Sequence, residues 1–406
     1  MGFNFSNSIL KDLNDRGFLY QFTDDKGLDD LFNSNKEIVF YVGFDPTAQS
    51  LHVGHLLWIK LVNKLQKAGL KPIVIIGGAT SKIGDPTWKD KQRVMLDKNI
   101  IQNNTDSIMR KLSRLISFDD SKSSAKLLNN DEWLSKINYL EFLRDFGPMF
   151  SVNKMLAMDS VSLRLERKQH LSFLEFNYML LQSYDFLHLF ETHNCKLQIG
   201  GADQWSNMIF GVDLIRRKTG KQAFGMSMPL LTTSDGKKMG KTENGAIWLD
   251  ENLTTPFNFW QYWRNVSDSD VSKLLKLFSD LDIDEIDSFV RSEKINEAKC
   301  ILADSITKFV HPDTDLRSIK STSIGLFGKT FIDVDSLEIF AIPLGTTIDS
   351  ALVISKLAES KTAARNLING KGVKIDGVVV EDYKTRLAQN SVLSVGKKKF
   401  AKVKII

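Results

Sequence analysis

The fold is decided near the start of the chain by residues 38–55, which read IVFYVGFDPTAQSLHVGH. Residues 38–44 are β-branched and aromatic, so they predict a strand that ends at Asp45. From Val53 to Ala68 the apolar positions recur with helical spacing, and residues 71–78 predict a second strand closed by glycines. Strand, helix and strand with nearly continuous apolar strands indicate a parallel sheet that is buried on both faces.

The rest of the chain extends this α/β pattern. Residues 197–201 and 226–231 predict later strands of the same Rossmann-like sheet, and residues 102–192 predict a mostly helical insertion between its two halves. We therefore predict a main domain over residues 1–245, an α-helical domain over 246–320, a linker over 321–340 and a small α+β domain over 341–406.

Composition fits a folded protein of several domains. The 406 residues are 42% hydrophobic and 25% charged, enough for about two to three globular domains. The two cysteines, Cys195 and Cys300, exclude a disulfide-stapled scaffold and a multi-cysteine zinc module, and they predict a reducing compartment. No apolar run approaches the roughly 18 residues of a membrane helix, and residues 1–6 do not resemble a targeting leader. The sequence therefore predicts a cytoplasmic chain that does not bind a membrane.

Positive charge is concentrated at the C-terminus. Residues 341–406 hold 12 Lys or Arg and 5 Asp or Glu, whereas the other 340 residues hold 42 and 44. A basic end on a nearly neutral chain indicates contact with a polyanion such as nucleic acid. A solubilising tail would give the same pattern, so charge alone leaves both interpretations open.

Two histidines follow the first strand closely, in residues 52–55, which we call the histidine motif. Where a parallel strand leads into a helix, free backbone N–H groups and the helix dipole favour an anion. His52 and His55 share a helix face and can both donate to a phosphate, while Gly54 lets a ribose or purine approach the backbone. Two surface histidines or two metal ligands are the alternatives, although no third metal ligand lies nearby in the sequence.

A second glycine-rich segment, residues 235–242, reads DGKKMGKT. Its glycines predict a mobile loop over about residues 234–245, which we call the lysine loop. Lysines on such a loop can close over a polyphosphate and stabilise the negative charge that develops during phosphoryl or nucleotidyl transfer. A solvent-exposed basic hairpin is the alternative.

Together the two segments resemble the paired H-I-G-H and K-M-S-K-S motifs of the class I aminoacyl-tRNA synthetases. Further segments are similar to the bacterial-type tyrosyl members of that class, in chain order and over essentially the whole length. These segments are YVGFDPT at 41–47, GDP at 84–86, YMLLQSYD at 178–185 and QIGGADQW at 198–205. The chain departs from the usual lysine motif at Gly240 and Thr242, and Trp88 stands where glycine is expected.

The resemblance implies a catalytic domain that activates L-tyrosine with ATP, carrying Mg²⁺ on its phosphates, and passes the tyrosyl group to tRNA(Tyr). It places tyrosine on Tyr41, Asp85, Tyr178, Gln182, Asp185, Gln198 and Gln204. It places ATP on Gly43, Asp45, Gly54, Gly201, Asp203 and Lys241. It assigns catalysis to Thr47, His52, His55, Lys89, Arg93, Lys238, Lys241 and Thr242, and it assigns no residue as a protein ligand of a metal.

Several of these residues also have plain structural interpretations. Tyr41 and Tyr178 would fit an apolar core, and Asp85 would fit the start of a turn. Asp185 is harder to explain as a core residue, because a buried carboxylate needs a partner.

The resemblance also implies partners. It places the helical domain on the anticodon side of the tRNA and pairs the chain as a homodimer through the helical insertion. The basic C-terminal domain resembles a small RNA-binding domain shared with a ribosomal protein. In that domain the RNA contacts would be Lys361, Arg365, Lys371 and Lys374.

Three rival functions stand beside this one. A tryptophanyl-tRNA synthetase shares the fold, but Tyr41 together with Asp185 argues against it. A non-enzymatic RNA-binding protein on a synthetase scaffold would not need the intact histidine and lysine residues. A nucleotidyltransferase of the pantothenate-synthetase type would leave the basic C-terminal domain unexplained.

Overall fold

The computed structural model describes residues 3–34, 36–85, 97–119, 121–242, 245–291, 294–327, 337–376, 378–396 and 399–406. The chain divides into two compact units, residues 1–253 with 272–288 and residues 254–271 with 289–406. The sequence predicts that the helical domain starts at residue 246, whereas this division keeps residues 246–253 and 272–288 with the first unit.

The first unit contains a six-stranded sheet. In chain order its strands are β1 (Gln21–Phe22), β2 (Val39–Phe44), β3 (Lys71–Ile76), β4 (Lys126–Asn129), β5 (Cys195–Gly201) and β6 (Phe224–Met228). Their order across the sheet is β1-β6-β5-β2-β3-β4. All neighbours are parallel except β1, which pairs antiparallel with β6 at one edge. The α/β class predicted from residues 38–78 is therefore confirmed.

The central strands lie in the buried middle of the sheet because their residues are apolar. β2 buries its first four residues and β3 its last five, as expected for parallel strands covered on both faces. Between them lies α3 (Leu56–Lys67). The helical pattern predicts that this helix starts at Val53, but Val53–His55 form a 3₁₀ turn instead. The reason is local: the His52 side chain accepts the Gly54 N–H and tightens the first turn.

Helices cover the sheet and form the insertion. They are α1 (Ser8–Arg16), α2 (Asp25–Asn33), α4 (Thr80–Ile83), α5 (Lys98–Leu112), α6 (Asp131–Leu134), α7 (Tyr139–Asp145), α8 (Val152–Leu156), α9 (Asp159–Glu166), α10 (Phe173–Phe176), α11 (Tyr178–His193) and α12 (Trp205–Thr219).

The predicted insertion, residues 102–192, is not wholly helical, because β4 lies inside it. Leu127 and Leu128 pair with Val74 and Ile75 of β3, so this short segment extends the sheet by one strand. Around it, α7 to α11 share an apolar core that includes Phe142, Met155 and Val161. The four-residue strand is too short to show a clear alternation of apolar and polar residues in the sequence.

The second unit combines helices with a small sheet. Its helices include α13 (Pro256–Arg264), α16 (Ile295–Val310) and α17 (Leu316–Phe327), while α14 (Asp268–Phe278) and α15 (Ile283–Arg291) contribute residues to both units. Trp260 and Trp263 of α13 are among the largest fully buried side chains, and the Trp260 indole N–H donates to Asp304 at 2.9 Å.

The C-terminal part of this unit holds a five-stranded sheet. It comprises β9 (Ile339–Ile342), β10 (Val373–Ile375), β11 (Val378–Val379), β12 (Ser391–Val395) and β13 (Lys399–Ile405), with α18 (Ile348–Ile354) and α19 (Lys361–Asn369) packed on it. The strand order is β11-β10-β12-β13-β9, and β9 runs parallel to β13.

The predicted linker, residues 321–340, overlaps α17 at one end and β9 at the other. The serine-rich sequence predicts a loop, but two of these serines form hydrogen bonds as part of α17. Ser321 donates to the Ser318 carbonyl, and buried Ser323 accepts from the Gln261 amide at 2.7 Å. Among the described residues, no helix combines the length and apolar character needed to cross a membrane.

Candidate active site

A cavity of about 350 Å³ opens in the first unit at the carboxyl ends of the parallel strands. Each parallel strand contributes a lining residue at or just after its end: Phe44 of β2, Gly77 after β3, Asn130 after β4, Gly201 of β5 and Met228 of β6. This edge is where ligands bind in open parallel sheets. Sixteen of the predicted site residues line it: Tyr41, Gly43, Asp45, Thr47, His52, Gly54, His55, Asp85, Tyr178, Gln182, Asp185, Gln198, Gly201, Asp203, Gln204 and Lys238.

The other predicted residues are not seen in this cavity. Lys89 and Arg93 lie outside the described residues, as does Trp88. Lys241 and Thr242 form the short strand β7 (Lys241–Thr242), which pairs with β8 (Gly245–Ala246), and only their backbone is described. The four predicted RNA contacts, Lys361, Arg365, Lys371 and Lys374, all belong to the second unit.

The histidine motif places two imidazoles side by side, with ring centres 4.1 Å apart. The Nδ1 atom of His52 accepts the Gly54 N–H at 3.0 Å, and that of His55 accepts the His52 N–H at 3.1 Å. Burial, together with the neighbouring His52, lowers the pKa of His55 to about 3, so this ring is neutral at physiological pH. Because its Nδ1 is an acceptor, the Nε2 of His55 carries the proton and is the donor available to a ligand.

The lysine loop folds back onto the same region. Residues 232 and 238 form an antiparallel bridge around a turn that contains Gly236, and the buried Met239 donates its N–H to the Leu231 carbonyl at 2.9 Å. Lys238 thereby lines the cavity that also holds the histidine motif. The two sequence motifs thus meet at one site, while the mobility of the loop stays a prediction.

At the buried end of the cavity stand a phenol and a carboxylate. Tyr41 is 2% exposed, and among the described residues its hydroxyl has no hydrogen-bond partner. Asp185 accepts from the Asn130 amide at 3.0 Å and from the Trp133 indole N–H at 2.7 Å. Burial raises the pKa of Asp185 to about 7 against the effect of these two hydrogen bonds, and the Asp45 charge adds to the rise. Burial and the Asp185 charge also raise the pKa of Tyr41, which keeps its proton as a donor.

A chain of hydrogen bonds connects this end to Asp45. Asn130 donates to the Thr80 hydroxyl at 3.1 Å, and Thr80 donates to one Asp45 oxygen at 2.7 Å. The other Asp45 oxygen accepts from the Tyr178 hydroxyl at 3.1 Å. Both oxygens of Asp45 are therefore engaged by side chains that line the cavity, although the resemblance places this residue on ATP.

A second chain of hydrogen bonds lies beside it. Gln204 donates to Asp85 at 2.8 Å, and Asn207 donates to both Gln204 and Gln182, at 3.1 and 2.9 Å. The side-chain oxygen of Gln198 is buried and has no partner among the described residues.

Four connecting residues in these chains were not found from the sequence: Thr80, Asn130, Trp133 and Asn207. Each is a single polar or aromatic residue that lies outside the sequence motifs. Only the folding of the chain brings it close to the other site residues. The ring pair Phe44 and Trp58, stacked with centres 5.7 Å apart, was also missed on the cavity wall. The helical spacing of Trp58 three residues after His55 is the one signal that could have found it.

Comparison with known proteins defines the class first. The family described as tRNA synthetases class I (W and Y) matches residues 33–328, and the S4 domain family matches residues 346–393. The chain therefore belongs to the class I aminoacyl-tRNA synthetases, in the group that handles tryptophan or tyrosine.

The particular family follows from full-length relatives. The chain is 48% identical to the tyrosine–tRNA ligase of Rickettsia felis, over 98% of this chain and all of that protein. It is 45% identical to the tyrosine–tRNA ligase of a Wolbachia species, over 98% of this chain and 99% of that one. A C-terminally truncated mitochondrial tyrosyl-tRNA synthetase from Aspergillus nidulans superposes with a TM-score of 0.70 at 30% identity, over 79% of this chain and 94% of that one. The chain belongs to the tyrosine–tRNA ligases, which confirms the family and enzyme class predicted from the sequence.

Proposed function

We propose that the chain joins L-tyrosine to the 3′-terminal adenosine of tRNA(Tyr) in two steps. First, a tyrosine carboxylate oxygen bonds to the α-phosphorus of ATP, and the bond from that phosphorus to the bridging oxygen breaks, releasing pyrophosphate. Second, a ribose hydroxyl of the tRNA bonds to the tyrosyl carbonyl carbon, loses its proton, and AMP leaves. Neither step needs a covalent bond to the protein, so positioning and charge stabilisation carry the catalysis.

One observation carries the choice of tyrosine, namely the buried Tyr41 hydroxyl and Asp185 carboxylate at the base of the cavity. The phenol of the substrate would donate to Asp185 and accept from Tyr41, which satisfies the Tyr41 hydroxyl. Phenylalanine would leave the Tyr41 hydroxyl without a partner and would place a ring C–H, not a donor, against the Asp185 carboxylate. A site that hydrogen-bonds a substrate hydroxyl rejects the analogue lacking it by about 10⁴–10⁵-fold, and tyrosine-specific synthetases are themselves the reference example for that figure.

The polar network next to it suits the amino-acid head group. A carboxylate with neutral acceptors binds an ammonium, so we assign the substrate ammonium to Asp85, Tyr178 and Gln182. Gln198 and Gln204 are assigned to the substrate carboxylate. Hydrogen bonds from Asn207 fix Gln182 and Gln204, and Asp45 fixes Tyr178, before the substrate arrives, which lowers the ordering cost of binding.

The motifs at the mouth of the cavity suit the phosphates. The neutral His55 donates a hydrogen bond without competing for a proton, while Lys238 supplies a positive charge. We assign Thr47, His52, His55 and Lys238 to the phosphates, with Mg²⁺ arriving as part of MgATP. The same role is proposed, from the resemblance, for Lys89, Arg93, Lys241 and Thr242.

The remaining wall suits the nucleoside. Gly43, Gly54 and Gly201 leave the backbone open to a ribose, and Asp203 offers a carboxylate to a ribose hydroxyl. Burial raises the pKa of Asp203, the nearby Asp85 adds to this effect, and Lys238 opposes it. The stacked pair Phe44 and Trp58 gives the adenine an aromatic surface on which to pack.

The small C-terminal domain is proposed to bind the tRNA. Lys361 is exposed at the start of α19, and Lys374 is half-buried in β10. Arg365 and Lys371 already pair with Asp349 and Glu381 at 2.8 and 2.7 Å, so each would exchange a carboxylate for an RNA phosphate. Such exchange makes the affinity dependent on salt.

The helical insertion is proposed to join two copies of the chain. Among the described residues, 19 large apolar side chains are exposed, and nine of them lie within residues 139–174. Leu140 and Phe173 are the most exposed of the nine, at 74% and 67%. This density of exposed apolar side chains in one short segment marks an interaction site. A symmetric homodimer, as expected from the resemblance, would cover it.

A cytoplasmic location completes the proposal. ATP and tRNA are both available there, and the two cysteines are free thiols, as is usual in a reducing compartment.

The first prediction concerns the substrate. Pyrophosphate–ATP exchange should depend on tyrosine and on no other of the twenty standard amino acids, because only tyrosine satisfies Tyr41 and Asp185 together. Each amino acid is tested in turn with the full chain. Exchange that depends on tryptophan would favour a tryptophan enzyme, and no exchange with any amino acid would contradict a synthetase.

The second prediction concerns pH. Because the pKa of Asp185 is raised to about 7, its carboxylate is mostly protonated at pH 6 and mostly ionised at pH 8. If the ionised form accepts the substrate phenol, the KM for tyrosine falls about tenfold from pH 6 to pH 8. The KM for ATP serves as the control and should change little. An equally steep profile in Asp185→Asn would contradict this role of the carboxylate.

The third prediction concerns the C-terminal domain. Lys361→Ala should raise the KM for tRNA several-fold and lower the salt slope of tRNA binding by about one, since one phosphate contact is lost. Exchange without tRNA should keep its wild-type rate. Lys356→Ala removes the same charge in the same domain, but Lys356 lies over the Phe340 ring and pairs with Glu338. A loss in Lys356→Ala as large as that in Lys361→Ala would contradict the assignment.

The fourth prediction concerns assembly. The wild-type chain should sediment at twice its 46.0 kDa mass. The double variant Leu140→Glu and Phe173→Glu should sediment as a monomer, because it places charges in the apolar surface. Leu344→Glu, which changes an equally exposed leucine in the C-terminal domain, is the control. A wild-type monomer, or dissociation by the control alone, would contradict a dimer through the insertion.

A further inference from the structure

Gly240 occupies a crowded place in the lysine loop. Its φ of +84° lies in the left-handed region that favours glycine. A side chain there would place its Cβ 2.9 Å from the Cβ of Val53 and 3.1 Å from the backbone nitrogen of Gly54. The loop therefore rests directly on the histidine motif at Gly240.

A short extended segment, residues 247–249, holds the two motifs together at this point. Ile247 donates its N–H to the Gly240 carbonyl and accepts from the Val53 N–H, both at 2.9 Å. Two residues further on, Leu249 donates to the Leu51 carbonyl at 2.8 Å. The backbones of the lysine loop, the segment and the histidine motif are thus joined in one hydrogen-bonded series.

The obstacle that a side chain at residue 240 would meet cannot easily move. Val53 is fully buried and Ile247 is 6% exposed, so both are fixed by the surrounding core. Neither the Val53 Cβ nor the Gly54 nitrogen is the flexible end of a side chain. Relief must come from the loop, which would move away from the histidine motif and take Lys238 with it.

We infer that Gly240 is a positioning residue, which lets the lysine loop rest on the histidine motif so that Lys238 and His52 face the same phosphates. The inference rests on the proposed function, because it assumes that both motifs bind one triphosphate. It also gives a physical reason for the departure from the K-M-S-K-S pattern, since a serine at residue 240 would meet the same contact.

The test compares two alanine substitutions in the same loop. Gly236 has nearly the same conformation, with a φ of +82°, but nothing lies within 4 Å of the place a Cβ would take. Gly240→Ala and Gly236→Ala therefore carry similar backbone strain, and only the first adds the contact with the histidine motif. Tyrosyl-adenylate formation is followed by stopped-flow, tyrosine affinity by equilibrium binding, and folding by thermal melting.

We expect Gly240→Ala to slow adenylate formation by about 100-fold, since a displacement of about 1 Å can have that effect. Its tyrosine affinity should stay within about twofold of wild type, and Gly236→Ala should keep a near-wild-type rate. Equal rates in the two variants would overturn the inference. So would a Gly240→Ala chain that melts far below Gly236→Ala and loses tyrosine binding, because the glycine would then serve folding alone.

A double variant separates positioning from general damage. If Gly240 acts through Lys238, Gly240→Ala should slow adenylate formation much less in a Lys238→Ala background than the about 100-fold expected in the wild-type chain. Fully additive losses would overturn the inference. Failure of the wild-type chain to catalyse tyrosine-dependent exchange would instead contradict the proposed function.

Discussion

Backbone hydrogen bonds between residues 51–53 and 247–249 join two parts of the chain that lie nearly 200 residues apart. They bring a turn with two histidines and a loop with lysines to the same edge of a parallel sheet. The sheet supplies the geometry, since the ends of all five parallel strands open into the same cavity. Without this junction the charges of the lysine loop would have no fixed place opposite the histidines.

The cavity separates two kinds of polar environment. At its buried end, carboxylates and amides are held by one another and, in the proposed function, would face the phenol and ammonium of the amino acid. At its mouth, a neutral imidazole and a lysine would face the phosphates. The buried Asp185 carboxylate lowers the stability of the folded chain when it is ionised, because its pKa is raised to about 7 from 3.8. As pH rises through 7, the folded chain must keep this charge buried and loses stability relative to more acidic solution. We interpret this as stability given up for recognition of the substrate hydroxyl.

Much of this architecture could be predicted from the sequence. Buried parallel strands have continuous apolar runs, so β2, β3 and the helix between them can be predicted from the sequence alone. The motifs carry their chemistry in residue types and spacing, and most of the residues chosen this way line one cavity. The assignment of Asp45 to ATP was made from its motif, and the structure shows its carboxylate engaged by Thr80 and Tyr178.

What could not be predicted depends on tertiary contacts or on short elements. Asn130 and Trp133 reach Asp185 only because β4 lies beside β3, and a four-residue strand leaves almost no periodic signal. The sequence of α17 resembles a linker because the hydrogen bonds of its serines cannot be read from the sequence: Ser321 bonds the Ser318 carbonyl and Ser323 bonds the Gln261 amide. Val53 was expected in an α-helix, but the His52 side chain tightens that turn into a 3₁₀ conformation.

The most direct test of the account is a crystal structure of the full chain with tyrosine and a non-hydrolysable ATP analogue. The account predicts the substrate phenol oxygen at about 3 Å from both the Tyr41 hydroxyl and the Asp185 carboxylate. It also predicts one set of phosphates in contact with both His52 and Lys238. Phosphates that touch only one of the two motifs, or a tyrosine bound away from Asp185, would contradict it.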